Sequence, residues 1–188
     1  HKTSKKNYLK VLKSIPASQL MVLDKQVPEL GKQYMSVYQD FKQDIRDVLE
    51  SSIKLLKKYN RLIIVFPMQS NHPRDIVEGC YEFCLKHQKT FDVISSLDRE
   101  IPQEDTVYIV TAESDLAQLI KKSKEMHLQP GKNVGIISFN ETVLKELLEI
   151  TVVTTDFEGM GKTAAQMLLN KDIKQVKNPF RMIVRKSL

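Results

Sequence analysis

Apolar and polar positions along this chain follow two periods, and the changes between them mark out its elements. "RLIIVFP" (61–67), "FDVIS" (91–95), "TVYIV" (106–110), "NVGIISF" (133–139) and "ITVVTT" (150–155) are short, nearly continuous apolar runs bounded by polar or turn-forming residues. That is the pattern of strands buried on both faces. "SQLMVLD" (18–24) predicts an earlier strand followed by a loop over "VPELGKQY", and "FRMIVRKS" (180–187) predicts a closing strand. Elsewhere the period lengthens. Phe41, Ile45, Val48, Leu49, Ile53 and Leu56 recur at threes and fours, which predicts a helix from Tyr38 to about Tyr59. Further helices are predicted at 114–126 with Ser114 as N-cap, at 142–148, and from about Gly159 to Asn170 with Met160, Ala164, Met167 and Leu168 buried. In "SNHPRDIVEGCYEFCLKHQ", Asn71 is the expected N-cap and Pro73 falls in the expected first turn. Strands alternating with helices over the whole length predict an α/β fold with a mostly parallel sheet.

Composition narrows the class. With 188 residues, 41% hydrophobic and 28% charged, the chain can bury a core of one domain or two small lobes. No apolar run approaches about 18 residues, so no segment is expected to span a bilayer. The basic start "HKTSKKNYLK" has no apolar stretch behind it, so no signal peptide is expected. A chain that begins with His is expected to be a fragment or processed product. The net charge of +6 is spread over "KKNYLK", "KLLKK" and "IKKSK"; scattered lysines of this kind belong to solvated helix faces rather than to a nucleic-acid stripe.

Cys80, Cys84 and His87 share helical spacing, which a metal could use. Ile76, Cys80, Phe83 and Cys84 nevertheless make one apolar stripe, so the thiols are assigned to core packing. No metal and no cofactor is expected. Two cysteines without a disulfide framework fit a reducing, cytoplasmic compartment.

"DFEGMGKTAAQMLL" (156–169) invites comparison with a phosphate-binding loop. That loop needs G-x-x-x-x-G-K-[ST], because its glycines let backbone N–H groups curl around phosphate. Counting back from Gly161, the first required glycine falls on Asp156. A carboxylate there repels phosphate, so nucleotide hydrolysis is not expected, and the glycines are read as a helix start.

In an open α/β sheet, ligands sit outside the carboxyl ends of the strands. The residues at those positions are Asn71, His72 and Arg74, then Glu113, Ser114 and Asp115, then Asn140 and Glu141, and finally Asp156. They are hydrogen-bonding groups without a nucleophile–base pair or a paired-carboxylate arrangement. Such a rim suits a polar, hydroxyl-rich small molecule rather than catalysis.

From "LMVLD" to "IVRKSL" the chain also resembles the effector-binding core of the LacI/GalR family, which has the type I periplasmic-binding-protein fold. The resemblance is carried by "VYIVTAESDLAQL", "PGKNVGIISFNE", "ITVVTTDFEGMG", the V-x-x-D of "VYQDF", the arginine-containing "HPRDIVEG", and the closing "FRMIVRKSL". It implies two lobes. Residues 1–66 would be part of an N-terminal lobe that lacks upstream units, 67–154 the C-terminal lobe, 155–178 the return to the first, and 179–188 a closing strand of the second. It implies ligand-binding roles for Tyr38, Arg74, Glu113, Ser114, Asn140, Asp156 and Phe157, with Asn140 standing where the family usually has an acid. Arg74 departs from the pattern, since Ile76 occupies the usual arginine position before Gly79.

The function implied is that of an effector sensor in a bacterial transcription regulator. A sugar-like ligand would close the lobes and alter operator binding by a DNA-binding head outside this chain, within a homodimer and without a membrane partner. The style of "HPRDIVEGCYEFC" also resembles sensors joined to GntR-type winged helices. A periplasmic solute-binding protein of the same fold is the alternative, and an α/β enzyme a third reading.

Overall fold

The computed structural model describes residues 2–188, with side chains described from Asn7 onward. The chain divides into two compact units: residues 1–40 with 155–179, and residues 41–154 with 180–188.

The first unit is built on a three-stranded parallel sheet of β1 (Met21–Asp24), β2 (Met35–Tyr38) and β8 (Gln175–Lys177), with β2 in the middle. Helix α7 (Phe157–Asn170) covers one face, placing Met160, Ala164 and Met167 against Met35 and Val37. Helix α1 (Lys2–Ser14) contributes Leu9 and Leu12 to a separate cluster around Leu20, Val27 and Tyr34. The buried Tyr34 hydroxyl accepts the N–H of Val27 at 2.8 Å, so its polar end is satisfied inside that cluster.

The second unit holds a six-stranded sheet in the order β4-β3-β5-β6-β7-β9. These strands are β3 (Arg61–Val65), β4 (Thr90–Ile94), β5 (Thr106–Val110), β6 (Val134–Phe139), β7 (Thr151–Thr155) and β9 (Phe180–Ile183). The pairings from β4 through β7 are parallel. Period two along each strand sends its residues to opposite layers. Leu62 and Ile64 join Ile45, Leu49, Ile76, Cys80 and Phe83 under helices α2 (Phe41–Ser51), α3 (Ile53–Leu56) and α4 (Asp75–Lys86). Ile63 and Val65 join Leu116 and Leu119 of α5 (Glu113–Glu125) on the other face. Burial pushes the Cys84 thiol up to about 12, and Cys80 is raised well above its ordinary value by the same cause.

Several expectations are corrected here. The division after residue 66 does not match the packing. Helices α2 and α3 and strand β3 pack in the second unit, because Ile45, Leu49, Leu56 and Leu62 bury their apolar faces in the cluster that also holds α4. Tyr38 ends strand β2, and the predicted long helix is α2 followed by α3. Helix α4 starts at Asp75 after Arg74, so Asn71 and Pro73 lie in the preceding loop. Helix α5 has Ala112, not Ser114, at its N-cap. Leu168 stays 44% exposed on α7, which needs only Met160, Ala164 and Met167 to cover its narrow sheet. Strands β2 and β8 and helix α1 are additions to the predicted set.

Candidate functional site

In the second unit β3 lies between β4 and β5. The helix after β3 packs on one face of the sheet and the helix after β5 on the other. The carboxyl ends of β3 and β5 therefore flank a topological switch point, where α/β sheets open a crevice for ligands.

Residues 66–74 form the loop after β3. The Thr111 hydroxyl donates to the Val65 carbonyl at 3.1 Å, tying the end of β5 to the end of β3. The His72 ring packs 5.1 Å from the Phe139 ring, so the loop reaches across β5 to the end of β6. Arg74 follows at the N-cap of α4, exposed. At the end of β6, Asn140 takes a left-handed backbone, φ 60°, a conformation asparagine tolerates better than most residues. Its N–H donates to the Val153 carbonyl at 2.8 Å.

Below that turn lies a buried lysine that sequence reasoning missed. Lys145 Nζ donates to the carbonyls of Phe139 at 2.7 Å and Asn140 at 3.0 Å, and sits 3.6 Å from Glu113 Oε1. Its pKa is pulled below the ordinary lysine value by burial, while Glu113 and Glu141 oppose the shift. One ammonium thus joins the ends of β5 and β6 and links two predicted rim residues, Glu113 and Asn140. A second cation holds Glu141: Arg185 donates to Glu141 Oε2 at 2.8 Å and to the Ile150 carbonyl at 2.9 Å. Ser187 Oγ donates to the Ile136 carbonyl and accepts the Thr151 N–H, both at 2.7 Å. The closing "VRKSL" therefore works as a latch on β6 and β7. Ser114 lies exposed in the first turn of α5.

In the first unit, Tyr38 ends β2 and Asp156 precedes α7. Asp156 Oδ1 accepts the Gly159 N–H at 2.9 Å, which makes it the helix cap. An amide that a phosphate loop would offer to its ligand is thus taken by the chain's own carboxylate. The helix begins at Phe157, ahead of the glycines, and Phe157 is exposed. A Cβ at Gly159 would meet Asp156 Oδ2 at 2.4 Å, so the small residue serves the cap, whereas Gly161 has open space around it. The cap and the return strand are connected by Asn178, a second residue that sequence reasoning missed. Its buried side-chain amide donates to the Asp156 carbonyl at 3.1 Å, and its N–H donates to the Tyr38 carbonyl at 2.7 Å.

Neither missed residue carries a sequence signal. A lysine in "VLKELL" and an asparagine in "VKNPF" both read as solvent positions. Among the described residues, no group of His, Cys, Asp or Glu side chains is arranged to hold a metal ion, and no helix is long and apolar enough to cross a membrane.

Solved structures share this architecture. A sugar-binding transcriptional regulator of the LacI family from Escherichia coli, complexed with phosphate, superposes with a TM-score of 0.73 at 14% identity, over 97% of this chain and 72% of that one. The Escherichia coli transcriptional repressor ascG gives 0.74 at 13% identity, over 97% and 73%. A periplasmic binding protein/LacI transcriptional regulator from Alkaliphilus metalliredigens, complexed with D-xylulofuranose, gives 0.66 at 13%, over 97% and 82%. No protein-family model matches the sequence, and no curated protein matches it. The chain thus has the periplasmic-binding-protein-like α/β fold found in the effector domains of LacI-family regulators.

Proposed function

We propose that this chain is the effector-binding domain of a bacterial DNA-binding transcription regulator, and that its effector is a small, polar, sugar-like molecule. The observation that carries this reading is the rim at the switch point of the second unit. There Lys145 holds Asn140 and Glu113 at the ends of adjacent strands, with His72 and Arg74 on the neighbouring loop. Lys145 ties down the Asn140 main chain and the Glu113 carboxylate, and planar amide, carboxylate and guanidinium groups pair with hydroxyl groups. The likeness to sugar-binding LacI-type regulators supports the same reading.

Arg74, Glu113, Ser114 and Asn140 would bind the effector from the second unit, with Tyr38, Asp156 and Phe157 contributing from the first. Ligand-driven closure would then change the spacing of DNA-binding heads in a cytoplasmic homodimer, through a helix-turn-helix or GntR-type head outside this chain. The effector acts only through its different affinity for the two states.

Differential scanning fluorimetry against a panel of neutral mono- and disaccharides, sugar phosphates and nucleosides tests the site. A true effector at 100 times its Kd adds about 2.7 kcal/mol, read as a rise in Tm that Asn140→Ala removes. A panel without any shift, or a shift that survives Asn140→Ala, overturns the assignment.

A further inference from the structure

Strands β4 and β5 run parallel on either side of β3. Residues 95–105 therefore return the chain from the carboxyl end of β4 to the amino end of β5. Such returns are usually helices, whose carbonyls accept N–H groups of the same helix. Here no helix forms. Leu97 is buried in the cluster that holds Ile63, Val65 and Tyr108, and the chain turns tightly after it, the Glu100 N–H donating to the Leu97 carbonyl at 3.2 Å. The donor for the remaining carbonyls comes from α5. Lys122 Nζ donates to the carbonyls of Leu97, Asp98 and Glu100, the last two at 3.1 and 2.8 Å. A carboxylate stands beside them. Asp98 Oδ1 accepts Gln118 Nε2 at 3.2 Å and Oδ2 accepts the Ser96 hydroxyl at 3.1 Å; these bonds, with Lys122 and Arg99 nearby, hold its carboxyl below the ordinary aspartate value. Lys122 also lines an open cleft of about 200 Å³ with Glu100, Ile101, Pro102, Glu125 and Met126, so solvent reaches this place.

We propose that residues 97–100 form a cradle for a monovalent cation and that Lys122 is its built-in occupant. Carbonyl oxygens converging on one point can stand in for the hydration shell of potassium. An ammonium group seeks the same oxygens through its three N–H groups, and here it finds one carbonyl for each. The tether frees the turn from any dependence on dissolved ions: no cation has to be recruited once α5 is in place. With the side chain cut back to Cβ, the three carbonyls and the Asp98 carboxylate face a space of ammonium size that opens to the cleft. The ligand class for that space is ammonium or potassium. The inference concerns the second unit alone and does not rest on the effector-domain reading.

Urea denaturation of the full chain in ammonium, potassium and choline chloride, at equal ionic strength, tests it with Lys122→Ala and Lys122→Met. Lys122→Ala is expected to have a lower midpoint than the parent in choline. In ammonium, potassium or both it should regain about half of that loss, rising with the logarithm of concentration as a bound ligand requires. The parent and Lys122→Met should not distinguish the salts, because an ammonium or a thioether stem already fills the cradle. Amide exchange at Glu100, whose N–H closes the turn, reads the site itself and is expected to slow by about tenfold when ammonium replaces choline in Lys122→Ala. Equal midpoints for Lys122→Ala in all three salts overturn the proposal, as does a Lys122→Ala chain that stays unfolded in ammonium and potassium. An equal gain in Lys122→Met also overturns it, since the salts would then act on the protein as a whole.

Discussion

At the scale of single residues, the second unit depends on buried charge. Lys145 contributes three contacts to the carboxyl edge of the sheet, and removing them leaves two strand-end carbonyls without their donor. Asp115, in the first turn of α5, is the opposite case. It is buried, its Oδ2 has no hydrogen-bond partner, and its pKa is raised by burial and by the nearby Asp98. The folded state therefore keeps the Asp115 proton to higher pH than the unfolded chain does. The stability this gives is full below the ordinary aspartate value and is lost as pH rises through the raised folded value. Asp115→Asn is expected to stabilise the protein at pH 7 by on the order of 1 kcal/mol, because a neutral amide costs less to bury than a carboxylate. It should also flatten the gain in stability between pH 7 and pH 4. Urea denaturation at the two pH values checks this, and a destabilised variant at pH 7 would contradict it.

At the scale of elements, close packing decides one position that helix propensity would decide the other way. Gly79 lies in α4 where that helix crosses α2, and a Cβ there would meet the Lys42 carbonyl oxygen and Ile45 Cγ2, each at 2.4 Å. Alanine gains about 1 kcal/mol over glycine within a helix, but a clash with backbone cannot be relieved by a side-chain rotation, and overpacking costs roughly 3 kcal/mol. Gly79→Ala is therefore expected to lower stability by about 2 kcal/mol, measurable as a fall in the urea midpoint. The pattern of α6 (Val143–Leu147) is inverted: its one lysine is buried, while Val143, Leu144, Leu147 and the following Leu148 are 73%, 59%, 75% and 50% exposed. The sequence located this helix, and its apolar residues are the exposed ones. The missed elements have a related cause. Strand β8 has three residues and β2 has four, too few for a period to emerge, and α1 carries so many lysines that its apolar positions look incidental.

At the scale of the molecule, the exposed apolar surface on α6 bears on assembly. Contiguous patches of this kind mark contact sites, and a two-fold dimer matches each patch with its own copy. We propose that the homodimer pairs through this surface. Leu147→Glu is expected to convert a dimer into a monomer by sedimentation velocity, and a parent protein that sediments as a monomer overturns the proposal. Much of the architecture was legible beforehand. The central strands of the second unit are apolar on both faces, which only a sheet covered by two layers can satisfy, so "RLIIVFP", "TVYIV" and "NVGIISF" announce a parallel sheet without help from context. The polar residues after those strands follow directly, because the end of a strand lies next to it in sequence.

Local order, then, is what the amino-acid sequence determined alone: strand, polar turn and helix, with polar residues such as Glu113 and Asn140 just after the strands β5 and β6. Only the tertiary structure decided which distant segments meet. It moved α2, α3 and β3 into the second unit, placed Lys145 beneath Asn140, and brought the Tyr38 and Asp156 carbonyls to Asn178. The reason is physical. Periodicity records how a residue relates to its own element, whereas the burial of a lysine or an asparagine depends on carbonyls supplied from elsewhere in the chain, and no local pattern contains them.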